Sequence, residues 1–190
     1  MKVAALQMVS GVALQANLDQ ARRLLEQAAQ AGAELAVLPE YFSAMGLRDE
    51  DKLALGETLG DGPVQRFLAD AARSLGLWIV GGTLPLATGS RERVHNSSLV
   101  FSPEGACVAR YDKIHLFRFD NGREHFDEAR VIEAGTRCVH FDLPARDGRL
   151  WRVGLSVCYD LRFPELYRAH ARAGADLLLV PSAFTYVTGQ

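Results

Sequence analysis

Three reactive side chains of different types stand just beyond apolar runs in this sequence. Cys158 follows residues 150–157, Glu40 follows 34–38 after a proline, and Lys113 follows 106–111. In α/β proteins, sites gather beyond the carboxyl ends of strands, where a side chain is held rigidly yet reaches solvent. A thiol could act as nucleophile, a carboxylate could take its proton and return it to a leaving group, and an ammonium could face developing negative charge. Unassisted, a thiol of pKa about 8.5 is only a few per cent thiolate at neutral pH, so the cysteine needs such neighbours.

Each residue also has a plainer reading. A single cysteine is most often a small buried apolar group, and Cys107 and Cys138, each inside an apolar run, fit that description. Cys158 differs because Tyr159-Asp160-Leu161-Arg162-Phe163-Pro164-Glu165 follows it, a polar turn that leads into a helix. A strand–cysteine–turn–helix arrangement exposes a nucleophile and offers backbone N–H groups to an oxyanion. Residues 154–158 lack the final glycine of a Gly-x-Ser-x-Gly elbow, and Ser156, inside the strand, reads as structural. A Glu after Leu-Pro is ordinarily a solvated loop residue, and a single Lys an ordinary surface charge. Arg162 could form a salt bridge at a helix start, or bind a substrate carboxylate through its planar fork. His95, His115, His125, His140 and His170 show no close ligand spacing such as His-x-x-x-His, so no metal is expected. His115, two residues after Lys113, reads as structural, with a supporting hydrogen bond to the site as the alternative.

Those candidates need elements to hold them. Residues 2–9 read as a buried strand. Asn17 reads as an N-cap whose capping box is closed by Gln20, and Leu18, Ala21, Leu25 and Ala28 keep helical spacing up to Gly32. A second strand covers 34–38. Pro63 opens a helix with Val64, Phe67, Leu68, Ala71, Ala72 and Leu75 on one face, Gly76 ends it, and 77–80 is a third strand. Residues 94–101 and 106–111 read as a hairpin, 112–135 as loop, and 137–143 with 150–157 as a second strand pair. Pro164 begins a helix through Arg172, and 177–180 form a last buried strand. This order predicts α/β layering with a mixed sheet, in one domain spanning 1–190 because no repeat or linker interrupts it.

Composition narrows the function. Apolar residues make up 48% of the 190 residues, enough for a substantial core. A formal charge of −2, with 21 scattered basic residues, gives no reason to expect a nucleic acid or an anionic membrane as partner. The N-terminus lacks the apolar stretch of a signal peptide, and no run approaches the roughly 18 apolar residues of a membrane span. Three cysteines are an odd number, which favours a reducing cytoplasm over disulfide stapling.

Taken together, Leu38-Pro39-Glu40, Tyr111-Asp112-Lys113-Ile114-His115-Leu116 and Cys158-Tyr159-Asp160-Leu161-Arg162-Phe163-Pro164-Glu165 resemble the motifs of the carbon–nitrogen hydrolases of the nitrilase superfamily. Gln7 in the first strand and Pro181-Ser182-Ala183-Phe184 after the last agree with this. The resemblance implies a four-layer α-β-β-α sandwich and a Glu-Lys-Cys triad. In it Glu40 is the general base, Lys113 the electrostatic stabiliser and Cys158 the nucleophile that forms a thioester. It further implies a second glutamate beside the lysine, matched by Glu128 with Glu124 and Glu133 as competitors, and an oxyanion donor in the backbone N–H of Tyr159. The segment after Cys158 resembles the ω-amidase and deaminated glutathione amidase branch, which implies a small amide substrate bearing a carboxylate, bound by Arg162. No cofactor is implied, and a homodimer or higher homo-oligomer is. Members of the family continue past the Thr-Gly that matches Thr188-Gly189, so a domain lacking its C-terminal strands and helix is expected. N-carbamoyl compounds, aliphatic amides or nitriles are the alternative substrates, and a non-catalytic fragment or binding module the alternative class.

Overall fold

The computed structural model describes residues 1–46, 48–120, 122 and 125–184. In chain order these form β1 (Val3–Ala5), α1 (Leu14–Gln30), β2 (Leu35–Val37), a single turn α2 (Asp51–Ala54), α3 (Pro63–Leu75), β3 (Trp78–Val80) and β4 (Leu84–Ala87). There follow β5 (Val94–Phe101), β6 (Cys107–Asp112), β7 (Arg118–Asp120), β8 (His125–Asp127), β9 (His140–Pro144), β10 (Leu150–Leu155), α4 (Pro164–Arg172) and β11 (Leu177–Leu179). Helix α3 begins where Pro63 presets φ at the first helical position and stops where Gly76 turns left-handed at φ 62°.

Two sheets share the interior. The larger has the order β1-β2-β3-β5-β4, with β6 also paired to β5. Strands β1, β2 and β3 run parallel, and β5 is antiparallel to β3, β4 and β6. In the smaller sheet β10 pairs parallel with β11 and antiparallel with β9. Strands β7 and β8 make a separate hairpin.

The period-two alternation of side chains assigns the layers. Ala36, Ile79 and Leu99 pack with Leu18, Leu25, Leu68 and Ala72 beneath α1 and α3. Their strand neighbours Leu35, Val80 and Val100 turn the other way and pack against Phe141, Leu143, Val153 and Leu155 of the smaller sheet. On the far side of that sheet Gly154 lies under α4, where an added Cβ would fall 2.6 Å from Nδ1 of His170. The result is helix, sheet, sheet, helix, the four-layer sandwich that the motifs imply.

Several readings change. Asn17 lies inside α1, which is preceded by Ala13 and has no side-chain cap. Its amide instead donates to the carbonyls of Gly11 and Ser43 and accepts from Gly11 N–H, so it ties two loops together rather than opening a helix. Strand β1 covers three residues at a sheet edge and is partly exposed, shorter and less buried than an apolar run suggests. The mixed sheet is two mixed sheets. Strand β4 was not anticipated, because Pro85 within it reads as a breaker; the strand tolerates it at the sheet's edge. Residues 112–135 contain β7, β8 and a 3₁₀ turn at Glu128–Arg130, all too short for periodicity to show. Cys107 and Cys138 are exposed, not buried. Thr188 and Gly189, and the competitor Glu124, lie outside the described residues.

Candidate active site

Four strand ends converge on one cleft. Beyond β2 the chain passes through Pro39 to Glu40, beyond β6 directly to Lys113, and beyond β10 through Val157 to Cys158. The segment after β11 brings Ala183, whose N–H donates to Glu40 Oε2 at 3.0 Å. The backbone is forced into place at these turns. Among the described residues, Tyr41 and Cys158 are the non-glycine residues with positive φ, 52° and 46°. Left-handed backbone at non-glycine residues is strained by roughly 1–3 kcal/mol and persists where surrounding structure overdetermines it. Gly82 lies so close behind the Glu40 turn that a Cβ would sit 1.9 Å from the carbonyl oxygen of Pro39.

Lys113 is the hub. Its ammonium contacts Glu40 Oε1 at 3.0 Å and Glu128 Oε2 at 2.9 Å, with the lysine 1% exposed and the two carboxylates 3% and 12%. Burial pushes the ammonium down, but the charges of Glu40 and Glu128 outweigh it and hold the pKa above the ordinary lysine value. Burial raises the Glu40 carboxyl above its usual value, Lys113 opposes this, and Glu128 adds to it. The Cys158 thiol is pushed up to about 12 by burial and by the charge of Glu40, against the lowering pull of Lys113. The lysine therefore does favour thiolate, as a neighbouring cation should, but it is overruled. The resting sulfur carries its proton beside a carboxylate that can take it.

Glu128 is placed by the 3₁₀ turn that Asp127 caps, and it also accepts from Phe117 N–H at 2.7 Å and Tyr41 Oη at 3.4 Å. Its competitor Glu133 lies elsewhere, beside His95. Tyr159 follows the sulfur in a 3₁₀ turn at Cys158–Arg162. The neighbouring N–H groups are used, Cys158 by Pro181 and Asp160 by Val157, whereas that of Tyr159 meets no acceptor among the described residues. Arg162 is exposed on the cleft wall and pairs with no carboxylate among the described residues. The cleft encloses about 870 Å³ and carries Phe117, Phe119, Phe126, Tyr159 and Phe184 alongside the charged groups.

Two residues that motif reasoning passed over hold the others. Asn96 of β5 donates to Glu40 Oε1 at 3.0 Å while its backbone carbonyl accepts from Lys113 N–H. Asp160 accepts from Tyr111 Oη at 2.7 Å, Val157 N–H at 2.8 Å, and both the N–H and Nδ1 of His115. His115 thus supports the site through Asp160, with its ring stacked on Phe163 at 3.8 Å. The signal for Asn96 was available: Asn96-Ser97-Ser98 is a polar run in the middle of an apolar strand, and all three are buried. Ser156 is structural as expected, donating to the Leu179 carbonyl.

The comparisons with known proteins agree with this geometry. The chain is 37% identical over 193 residues to a deaminated glutathione amidase of Synechocystis sp., covering 98% of this chain and 68% of that protein. It is 34% identical over 175 residues to an omega-amidase of Xenopus laevis, covering 91% of this chain and 60% of that protein. The crystal structure of Saccharomyces cerevisiae Nit3, a member of branch 10 of the nitrilase superfamily, superposes with a TM-score of 0.83 at 30% identity, over all of this chain and 66% of that one. The chain thus spans about two thirds of the length of these relatives. With the carbon–nitrogen hydrolase profile matching residues 2–190, on a sandwich whose strand ends carry the motifs named above, the chain belongs to the carbon–nitrogen hydrolase family.

Proposed function

We propose that the protein carrying this chain hydrolyses the amide bond of a small carboxylate-bearing molecule through a thioester on Cys158. The observation that carries the reading is the buried ammonium of Lys113 held between Glu40 and Glu128, facing the sulfur. Desolvating three charges costs several kcal/mol per ion, so such a cluster is a poor way to gain stability and a good way to prepare chemistry.

The sulfur attacks the amide carbonyl as Glu40 takes the thiol proton. Charge then develops on the carbonyl oxygen. An ammonium has three donors, two of which meet Glu40 and Glu128, leaving one for that oxygen, with the Tyr159 N–H as its companion. Glu40 next gives the proton to the departing nitrogen, and ammonia or an amine leaves as the thioester forms. Water, deprotonated by Glu40, then adds to the thioester; its collapse releases the acid and returns the proton to sulfur. Glu128 holds Lys113 on line throughout.

Substrate class rests on Arg162, a guanidinium at the rim that pairs with no carboxylate among the described residues, and on relatives named for deaminated glutathione and for ω-amides. A planar fork matches a carboxylate in bidentate fashion. A working thiol needs a reducing compartment, so cytoplasmic location belongs to the proposal, as does a homo-oligomeric state; among the described residues no helix is long and apolar enough to cross a membrane. The test is turnover of α-ketoglutaramate, deaminated glutathione and simple nitriles, with thioester trapping at Cys158 by mass spectrometry. Turnover confined to nitriles, or an unreactive sulfur, would overturn the reading.

A further inference from the structure

A second cluster lies away from the cleft, on the face of the smaller sheet that α4 covers. Cys138 and His140 are two apart in an extended segment, whose phase is fixed by Leu155 N–H donating to the Val139 carbonyl, so both side chains leave the same face. His170, 32 positions from Cys138, descends from α4 and is fully buried. One donor atom from each of the three lies within 4.8 Å of the others. We propose that Cys138, His140 and His170 bind a borderline-soft divalent cation, Zn²⁺ above all, clipping the edge strand β9 to α4.

His170 is held in the tautomer that a metal ligand requires. Its Nε2 lies 3.0 Å from the Leu155 carbonyl, an acceptor only, so the network places the proton there and leaves Nδ1 with a lone pair. A metal-binding histidine usually donates its far N–H to a carbonyl or carboxylate, which fixes the tautomer and turns the other nitrogen's lone pair to the metal. The one polar partner of Nδ1 among the described residues is Cys138 Sγ at 3.5 Å. With Zn–S about 2.3 Å and Zn–N about 2.0 Å, a tetrahedral site needs an N···S edge of about 3.6 Å; the separation of this pair suits one, though its direction does not. Gly154 makes the room, since a side chain there would collide with the imidazole.

Adjustment is needed elsewhere. Sγ also lies 3.8 Å from Nε2, so it sits over the face of the ring rather than on the Nδ1 axis, and Cys138 must swing toward the ring edge while His140 closes in. Both are exposed and free to do so. The donor set, one sulfur and two imidazoles without a carboxylate, suits zinc and not magnesium or calcium. Binding releases the thiol proton to solvent, and water completes the fourth position.

The test is titration of Co²⁺ into the purified, reduced and metal-free protein that carries this chain. The expected result is a thiolate-to-cobalt charge-transfer band saturating at one equivalent, lost when Zn²⁺ is added, absent in C138S and retained in C158S. In H140A the affinity should fall at least tenfold, and in both C138S and H140A amide turnover of the metal-free protein should be unchanged. Absence of the band, its persistence in C138S, or its loss in C158S would overturn the proposal, the last by placing the metal at the other thiol.

Discussion

Asn96 Nδ2 and Lys113 Nζ both reach the same oxygen of Glu40, Oε1, each at 3.0 Å. The other oxygen, Oε2, is held by Ala183 N–H. Three donors from three separate segments, β5, the residue after β6 and the loop after β11, therefore fix one buried carboxylate.

Asn96→Ala should remove one of these donors without changing the net charge of the site. A carboxylate with fewer donors is easier to protonate and freer to turn. We expect kcat to fall by about tenfold to a hundredfold, in keeping with loss of an aligned proton-transfer group, with the acid side of the rate profile moved to higher pH. An unchanged profile with equal loss in KM would instead mark Asn96 as a packing residue.

The pH dependence follows from the shifts of the three groups. The thiol, pushed up to about 12, stays protonated, and Lys113, held above the ordinary lysine value, stays charged across the neutral range. Glu40 is raised, and in its protonated form it cannot accept the thiol proton. Turnover should therefore rise with pH through a midpoint above the ordinary glutamate value of 4.5 and hold a plateau to at least about pH 9. Measured kcat/KM profiles that rise below that value, or a bell with its descending side near neutrality, would contradict the assignment.

Lys113→Met leaves two carboxylates facing each other in a buried site. Removing one partner from a buried ionic group typically destabilises by about 3–5 kcal/mol, and loss of an oxyanion donor lowers kcat by about 10²–10³. Unfolding in denaturant should depart from additivity: E40Q combined with K113M should be less damaging to stability than the sum of the two, because each removes what the other leaves unpaired. Strict additivity would mean that the two residues do not share one ion pair.

Asp160→Asn tests how the Cys158 turn is held. One carboxylate accepts four hydrogen bonds there, and an amide offers one oxygen while pointing N–H groups at donors. Loss of roughly 2–4 kcal/mol is expected, with kcat falling more than KM rises and the Cys158 thiol reacting more slowly with an acrylamide probe. Wild-type stability would show the turn to be fixed by other contacts.

Cys158 itself can be used to read backbone strain. Both Cys158→Ala and Cys158→Gly should abolish turnover, but at φ 46° glycine has no Cβ penalty. The glycine variant is expected to be at least as stable as the alanine variant in thermal unfolding, against the roughly 0.5–1 kcal/mol that glycine ordinarily loses to alanine in helices and strands. Alanine clearly winning would argue against a left-handed turn at the sulfur.

Much of the architecture was legible because it is written in local patterns. Helix α4 runs over the Pro164–Arg172 that its proline and spacing indicate, and α3 lies between Pro63 and Gly76. Strand β4 was not, because Pro85 hides an edge strand, and β7 and β8 were not, because three residues carry no period. Asn17 shows the converse. A residue type that caps helices was placed by a tertiary demand, the need to bridge Gly11 and Ser43.

Glu40, Lys113 and Cys158 could be picked out from the sequence alone, since each follows an apolar run that must become a strand, and strand ends are rigid platforms. Their charges, tautomers and partners could not. Whether the lysine holds its proton, whether the thiol keeps its own, and whether a buried asparagine or the imidazole of His170 has a neighbour depends on distances between segments remote in the chain. Such distances are set by packing of the two sheets, and no local spacing encodes them.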